Sequence, residues 1–412
     1  MELDVIVPGV KAEVVGSDCI TVLFNRPWKT LSSAIFNGGI IDARAVLNMH
    51  IPKSYNHEDP EGHIRRMIEK IGLPEPVVGM MTAAEMENVA VINKEDEQGE
   101  FRVTTIITAG VSNPATAGER PRFPFLEGTI NVILLLDGNF SSATMASSVM
   151  IATEAKTLAL RELDVRSFSM GSTYDLSTNL ASGTTTDTVV VSCTGKGKLI
   201  WYHSTGLSFR GRFGAFEEGI EVGRLIALAV KEGVLKALEK QDKIRIGRSL
   251  LKRLEERGVS IGHFMRIAVD HYFSSFSSRE SRDNLPGEEV FRKELEEVLS
   301  RDRGVCSLVM AGLGLEKDEE RRGFMPYEGE IVLRKGSNEE IHRLPSRVLG
   351  GVIADYIGGV KGSTLYGQSV KFFENTGENP LKGEMTPTMY YVLSGIVGGV
   401  MGHIDQKRKQ GE

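Results

Sequence analysis

The apolar positions of this chain follow two regimes. Through the first half, short β-branched runs alternate with longer amphipathic stretches. Val103–Ala109, Thr129–Asp137 and Asp187–Cys193 have strand length and are bounded by Gly, Asn, Pro or Thr; Ile20–Phe24 and Val89–Asn93 are shorter candidates. Ser141–Leu163 reads as a helix. Ser141 or Ser142 caps it, and Met145, Val149, Ala152, Ala155 and Ala159 recur at helical steps. A further helix covers Glu217–Lys240, with Ile220, Ala227, Val230, Val234 and Leu238 on one stripe. Strands mixed with amphipathic helices predict an α/β or α+β layered domain.

The pattern changes after Gln241-Asp242-Lys243, a polar break. Leu250–Arg257, Ile261–Phe276, Glu288–Leu299 and Asp302–Leu315 all carry helical periodicity. Lys317–Arg322 and Arg334–Ser337 read as surface connections. Two Gly-rich apolar segments, Val348–Gly359 and Val392–Gly402, predict helices packed closely on their neighbours, too short to span a bilayer. We expect two domains, an N-terminal layered one and a mainly α-helical C-terminal one. The boundary is placed at about 235–245, giving 1–240 and 241–412.

Composition agrees with this. A 412-residue chain exceeds one ordinary core, and 41% hydrophobic with 25% charged residues is ordinary for a globular protein. The start, Met1-Glu2-Leu3-Asp4, lacks the basic flank of a signal peptide, so a cytoplasmic location with no membrane partner is the expectation. A net charge of −6 argues against a general nucleic-acid binder. Cys19, Cys193 and Cys306 lie far apart without metal-site spacing; Cys19 and Cys193, in or beside strand runs, are expected as small buried hydrophobes.

Candidate chemistry concentrates in the first domain. Leu31-Ser32-Ser33-Ala34-Ile35-Phe36-Asn37-Gly38-Gly39 brings two hydroxyls, a carboxamide and a glycine pair together. Such a segment is either a tight turn or a set of backbone donors facing an oxygen that gains negative charge. Asn48 and His50 follow, with His50 either structural or a base. Thr104, Thr105, Thr108, Ser112 and Asn113 sit at a strand end and its turn, and Glu154 and Lys156 lie on the alanine-rich helix. Gly183–Asp187 (GTTTD) precedes a strand, so Asp187 caps, closes a turn or points into a site.

Taken in order, these segments resemble the adenosylcobinamide amidohydrolases. The resemblance runs through Ser32–Gly39, Ala43–Asn48, Met81–Ala84, Val103–Pro114, Gly128–Asn131, Ala152–Val165 and Ser182–Asp187. Farther on, Gly214-Ala215-Phe216-Glu217 stands where a Gly-Lys-His-Thr-like run is expected, after an insertion-like stretch from His203 to Arg212. The resemblance implies a corrinoid substrate: hydrolysis of the amide between the aminopropanol arm and the corrin ring of adenosylcobinamide, releasing adenosylcobyric acid. Our working assignment gives the oxyanion to Asn37 with Gly38 and Gly39. Ser32 or Ser33 is nucleophile or substrate ligand, Glu154 or Asp187 manages the proton, and His50 is the alternative base. Asn48, Thr108, Ser112 and Asn113 join the glycines as substrate-binding candidates.

In the second domain, Val305–Leu315, Val348–Gly359, Phe372–Pro380 and Leu393–Gly402 resemble α-ribazole-phosphate phosphatases of the phosphatidylglycerophosphatase A type. That resemblance implies α-ribazole 5′-phosphate as a partner and Mg²⁺ held by carboxylates. Two expected carboxylate pairs are Ser346-Arg347 and Tyr390-Tyr391 here. Glu374 remains as the metal-ligand candidate, with Asp355 and Glu378 nearby. A homodimer is the assembly left open.

Overall fold

The computed structural model describes residues 1–56, 58–118, 128–168, 178–197, 199–200, 215–244, 250–255, 261–276, 287–301, 303–320, 344–375 and 387–410. The chain divides into two compact units, one of Met1–Met170 with Asn179–Ile246 and one built around Gly247–Glu412.

The first unit opens with β1 (Val10–Val15), β2 (Cys19–Ser32), β3 (Gly39–His50), α1 (Pro60–Ile71), β4 (Val77–Thr82), β5 (Ala90–Glu95) and β6 (Arg102–Ala109). It continues through β7 (Pro114–Ala115), β8 (Ile130–Leu136), β9 (Asn139–Phe140), α2 (Ser142–Glu162), β10 (Arg166–Phe168) and β11 (Thr178–Leu180). β12 (Gly183–Thr184), β13 (Thr188–Cys193), β14 (Leu199–Ile200) and α3 (Ala215–Asp242) complete it. The main sheet has the order β4-β3-β2-β13-β8-β6-β5, with β1 beside β2. β3 and β4 are parallel around α1, and β8 and β13 are parallel around α2; the other neighbours are antiparallel. Two crossover units thus share β2.

The sheet curls back on itself. β2 and β3 shift register between Leu23 and Trp28, where Pro27 removes a ladder donor and the rings of Phe24 and Trp28 stack at 4.5 Å. The free edge of β4 then meets the β2–β3 connection, with Phe36 N–H donating to Gly79 O at 3.1 Å and Gly79 N–H to Phe36 O at 3.0 Å. Inside the curl lie Val22, Trp28, Val46, Val78, Met80, Ile106, Ile133 and Val190. Outside, α2 and α3 cover β8, β6 and β13 through Val132, Leu134, Ala152, Ala155, Val230 and Val234, while α1 covers β3 and β4 through Ile64, Ile68, Leu47 and Val77. Burial on both faces of the sheet explains why β8 is buried at every position, and apolar at all but Asn131, rather than alternating.

Ser141 caps α2 by accepting from Thr144 N–H at 3.1 Å, and α3 runs through Gln241 and Asp242, past the expected polar break. Gln241 Oε1 accepts from Glu85 N–H and Asn88 Nδ2, and an Asp242 oxygen accepts from Val111 N–H. Those polar residues anchor the helix end instead of opening a linker. Cys19 and Cys193 are buried thiols, Cys19 pushed up to about 11 by burial and then by Asp18, Cys193 raised by burial.

The second unit is helical: α4 (Leu250–Glu255), α5 (Ile261–Phe276), α6 (Glu288–Arg301), α7 (Arg303–Glu320), α8 (Leu344–Asn375) and α9 (Pro387–Gln410). Lys317–Glu320, expected as a connection, continue α7; residues 321–322, 334–337 and 256–257 lie outside the described residues. α8 bends at Gly358-Gly359, where Gly359 takes φ 54°. α8 and α9 meet backbone to backbone, since a Cβ on Gly395 would fall 2.2 Å from Gly350 O. Among the described residues no helix is long and apolar enough to cross a membrane.

Candidate active site

One pocket of about 290 Å³ opens at the curled end of the first unit. One wall is apolar, with Ile35, Ile51, Tyr55, Pro60, Met80 and Met81. The other carries Asn113, Gly128, Thr129, Thr185, Thr186 and Thr188. The Tyr55 hydroxyl lies 3.2 Å from His63 Nδ1 on α1, which fixes one side of the mouth.

Loop 33–38 supplies Ile35 and is held at both ends. Ser32 Oγ, buried, accepts from Ala34 N–H at 2.8 Å; Ser33 Oγ, exposed, accepts from Val189 N–H at 3.1 Å. Asn37 takes φ 53° and donates its carboxamide to Val77 O at 2.9 Å. That side chain is committed to the loop, while Asn37, Gly38 and Gly39 are exposed. The two glycines answer different demands. A Cβ on Gly38 would sit 2.4 Å from Ala34 O, whereas Gly39 adopts φ 91°. Ser33 N–H in turn donates to Val189 O at 3.1 Å, which sets Ser33 against β13, one residue from Thr188 of the pocket wall.

Below the pocket lies a buried carboxamide network. Asn131 Nδ2 donates to Asn48 Oδ1 at 2.9 Å and to Met81 O at 2.8 Å; Asn48 Nδ2 donates to Thr108 Oγ1 at 2.9 Å. The structure therefore brings Asn48 and Thr108 together under the site. Asn131 is the member missed from sequence; a lone carboxamide in the apolar run TINVILLLD was the available signal.

His50, a quarter exposed, follows Asn48 on the same face of β3 and pairs with Glu85 at 3.8 Å. Asn113 donates to Thr185 Oγ1 at 2.7 Å, and Ser112 is exposed in the same turn. Glu154 is exposed on α2 and bonded to none of the pocket residues, while Lys156, two residues on, is buried and ion-paired with Asp187. Residues 203–212 and 214 lie outside the described residues, as do the side chains of 215–217.

Five segments that are remote in sequence converge on this pocket: Ser32–Gly39 through Ile35, Met81–Ala84, the turn with Asn113, Gly128–Thr129 and the threonine run before β13. The adenosylcobinamide amidohydrolase family model matches residues 8–246, more than half of the chain. The chain belongs to the adenosylcobinamide amidohydrolase family. It is an enzyme of the amidohydrolase type. It is 30% identical over 252 residues to an uncharacterized protein of Methanocaldococcus jannaschii, covering 55% of this chain and 88% of that one. It is 34% identical over 142 residues to an adenosylcobinamide amidohydrolase of Methanosarcina mazei, covering 34% of this chain and 64% of that one.

In the second unit, the positions expected to hold carboxylate pairs are built into helix packing. Ser346 Oγ is 2.7 Å from Thr388 Oγ1, Arg347 lies over the Tyr391 ring, and Tyr390 donates to Val370 O at 2.7 Å. Asp355 accepts from Ser363 at 3.0 Å. The side chain of Glu374 and residue Glu378 lie outside the described residues. Among the described residues no group of three His, Cys, Asp or Glu side chains could hold a metal ion. Of the described positions, Ser346, Arg347, Tyr390 and Tyr391 offer no carboxylate to the expected Mg²⁺, which wants several carboxylate or carbonyl oxygens.

Proposed function

We propose that the first unit hydrolyses the amide joining the aminopropanol arm to the corrin ring of adenosylcobinamide, yielding adenosylcobyric acid and the free amino alcohol. The convergence of the five ordered segments on one pocket carries this reading. A pocket of about 290 Å³ suits the amide and its short arm, not a macrocycle, so the corrin stays outside the mouth. Ile35, about half exposed, gives that mouth an apolar rim.

In the reaction an oxygen nucleophile adds to the carbonyl carbon, the C–N bond breaks, and the nitrogen leaves with a proton. With the Asn37 carboxamide bound to Val77 O, we assign oxyanion stabilisation to backbone N–H groups of the exposed residues Asn37, Gly38 and Gly39. We assign the substrate hydroxyl to Ser33 rather than Ser32, because Ser33 is an exposed residue one position from Ala34-Ile35 of the pocket loop and Ser32 is buried with its Oγ bound to Ala34 N–H. His50, beside Ile51 and Thr82 of the pocket lining and 3.8 Å from Glu85, manages the proton in this reading, since Glu154 is exposed on α2 and Asp187 is engaged elsewhere.

Mass detection of adenosylcobyric acid after incubation with adenosylcobinamide tests the reading. A change in the corrin spectrum with no such product would favour a corrinoid-binding protein instead. For the second unit we propose a role without metal chemistry, on the packing of Ser346, Arg347, Tyr390 and Tyr391. Release of phosphate from α-ribazole 5′-phosphate in the presence of Mg²⁺ would refute it.

A further inference from the structure

We infer that Lys156 and Asp187 form a buried clamp that fixes the threonine wall of the pocket, so that Asp187 is a positioning residue and not the proton carrier. The inference rests on the amidohydrolase reading for its kinetic consequence, but its geometry stands alone. The Asp187 carboxylate receives four donors. Oδ1 accepts from Ile130 N–H at 3.0 Å and Thr184 Oγ1 at 2.6 Å; Oδ2 accepts from Thr184 N–H at 3.0 Å and from the Lys156 ammonium. Both side chains of the ion pair are about one-tenth exposed. A carboxylate so engaged has little lone-pair capacity left for a substrate proton.

The pair joins three elements: the outer helix α2, the start of β8 and the loop ahead of β13. From that loop the bonding passes directly into the pocket wall. Thr186 Oγ1 donates to Gly128 O at 3.1 Å, Thr129 Oγ1 donates to Thr186 O at 2.8 Å, and Thr185 Oγ1 accepts from Asn113 at 2.7 Å. α2 holds the loop a second time, with Thr157 Oγ1 donating to Ser182 O at 3.0 Å. The backbone is shaped around the clamp as well. A Cβ on Gly183 would lie 2.3 Å from Asp187 Oδ2 and 2.8 Å from Lys156 Nζ. Removing one partner leaves a charge buried without its counter-ion, and the loop must move to hydrate it.

The test uses Lys156→Met, which keeps the aliphatic stem, with Asp187→Asn and the conservative Lys156→Arg, all in the full chain. We expect Lys156→Met and Asp187→Asn to raise KM for adenosylcobinamide by about tenfold or more. Their kcat should stay within about threefold of the parent, the pH–rate profile should keep its shape, and Lys156→Arg should restore part of the loss. Amide exchange in residues 183–190 should accelerate in Lys156→Met, with the β2–β3 strands unchanged. A kcat loss of about a thousandfold in Asp187→Asn at unchanged KM, or a lost limb in its pH profile, would overturn the clamp in favour of proton transfer. Unchanged exchange in Lys156→Met would also overturn it. If the parent itself releases no adenosylcobyric acid, the functional reading fails while the exchange result still decides the clamp.

Discussion

Asn131 donates its carboxamide to that of Asn48 at 2.9 Å, although β2 and β13 stand between their strands in the sheet. Only a sheet curled until β8 faces β3 and β4 permits that bond. The same nitrogen also reaches Met81 O, on a residue of the pocket wall.

Asn131→Ala is therefore expected to destabilise the first unit by about 1–3 kcal/mol, because the buried Asn48 Oδ1 loses its donor and Met81 O loses one beside the pocket. Thermal denaturation of the full chain, with amide exchange followed in β3 and β4, measures this. Protection in those strands equal to that of the parent would show that the network is dispensable.

Gly38→Ala places a methyl against a backbone carbonyl 2.4 Å away, which no side-chain rotation relieves. The loop must shift, and a displacement near 1 Å at a reacting centre costs about a hundredfold in turnover. Gly99→Ala is the control. Its φ of 70° strains the alanine in a turn with open space around it, so stability falls slightly and kcat/KM stays at the parental value. Equal kinetics for the two variants would remove the loop from the site.

Much of the fold was legible because its signals are local. The runs at 103–109, 129–137 and 187–193 match β6, β8 and β13 to within a residue, and Ile261–Phe276 is α5 without change. β2 was half hidden because Asn25-Arg26-Pro27 interrupts its pattern at the bulge, so only Ile20–Phe24 read as strand. β3 was missed because Val46 interrupts the polar face of Asp42, Arg44, Asn48 and His50, and Asn48 has a reason that only the assembled sheet reveals, its bonds to Asn131 and Thr108. α1 carried clear signals that went unused: Asp59 accepts from Gly62 N–H, Pro60 sits at the first turn, and Gly72 closes the helix at φ 68°. The site was legible as a set of segments. The commitments of individual side chains, Asn37 to Val77 O or Asp187 to Lys156, depend on contacts 31 to 40 residues apart and have no sequence signature.

The thiols give a direct check on the interior. Cys19 and Cys193 are buried and their thiolates are disfavoured, while Cys306 is partly exposed. Iodoacetamide near neutral pH should label Cys306 and spare the other two until denaturant is added. Native labelling of Cys19 would contradict the packing of β2 between β1 and β3.

The helical unit carries a pH dependence of definite sign. His271 is buried between Ser369, 2.9 Å from Nε2, and Ser275, 3.1 Å from Nδ1, with Phe372 stacked on its ring at 4.3 Å. Burial lowers it from the ordinary 6.5 to about 4, so the fold keeps the ring neutral where the unfolded chain would protonate it. The contribution is complete above about pH 7, falls as the pH drops from 6.5 toward 4, and amounts to about 3 kcal/mol over that window. Asp405 acts lower. Burial opposes its charge, but Lys409 and Lys361 outweigh it and hold the carboxyl below its ordinary 3.8, so its contribution is lost only beneath that value. Amide exchange across α5 and α8 in the full chain, measured from pH 7 to pH 4.5 with intrinsic rates corrected, should show protection declining in the parent. In His271→Gln, which cannot titrate, that decline should flatten; an identical slope in both proteins would remove His271 as its source.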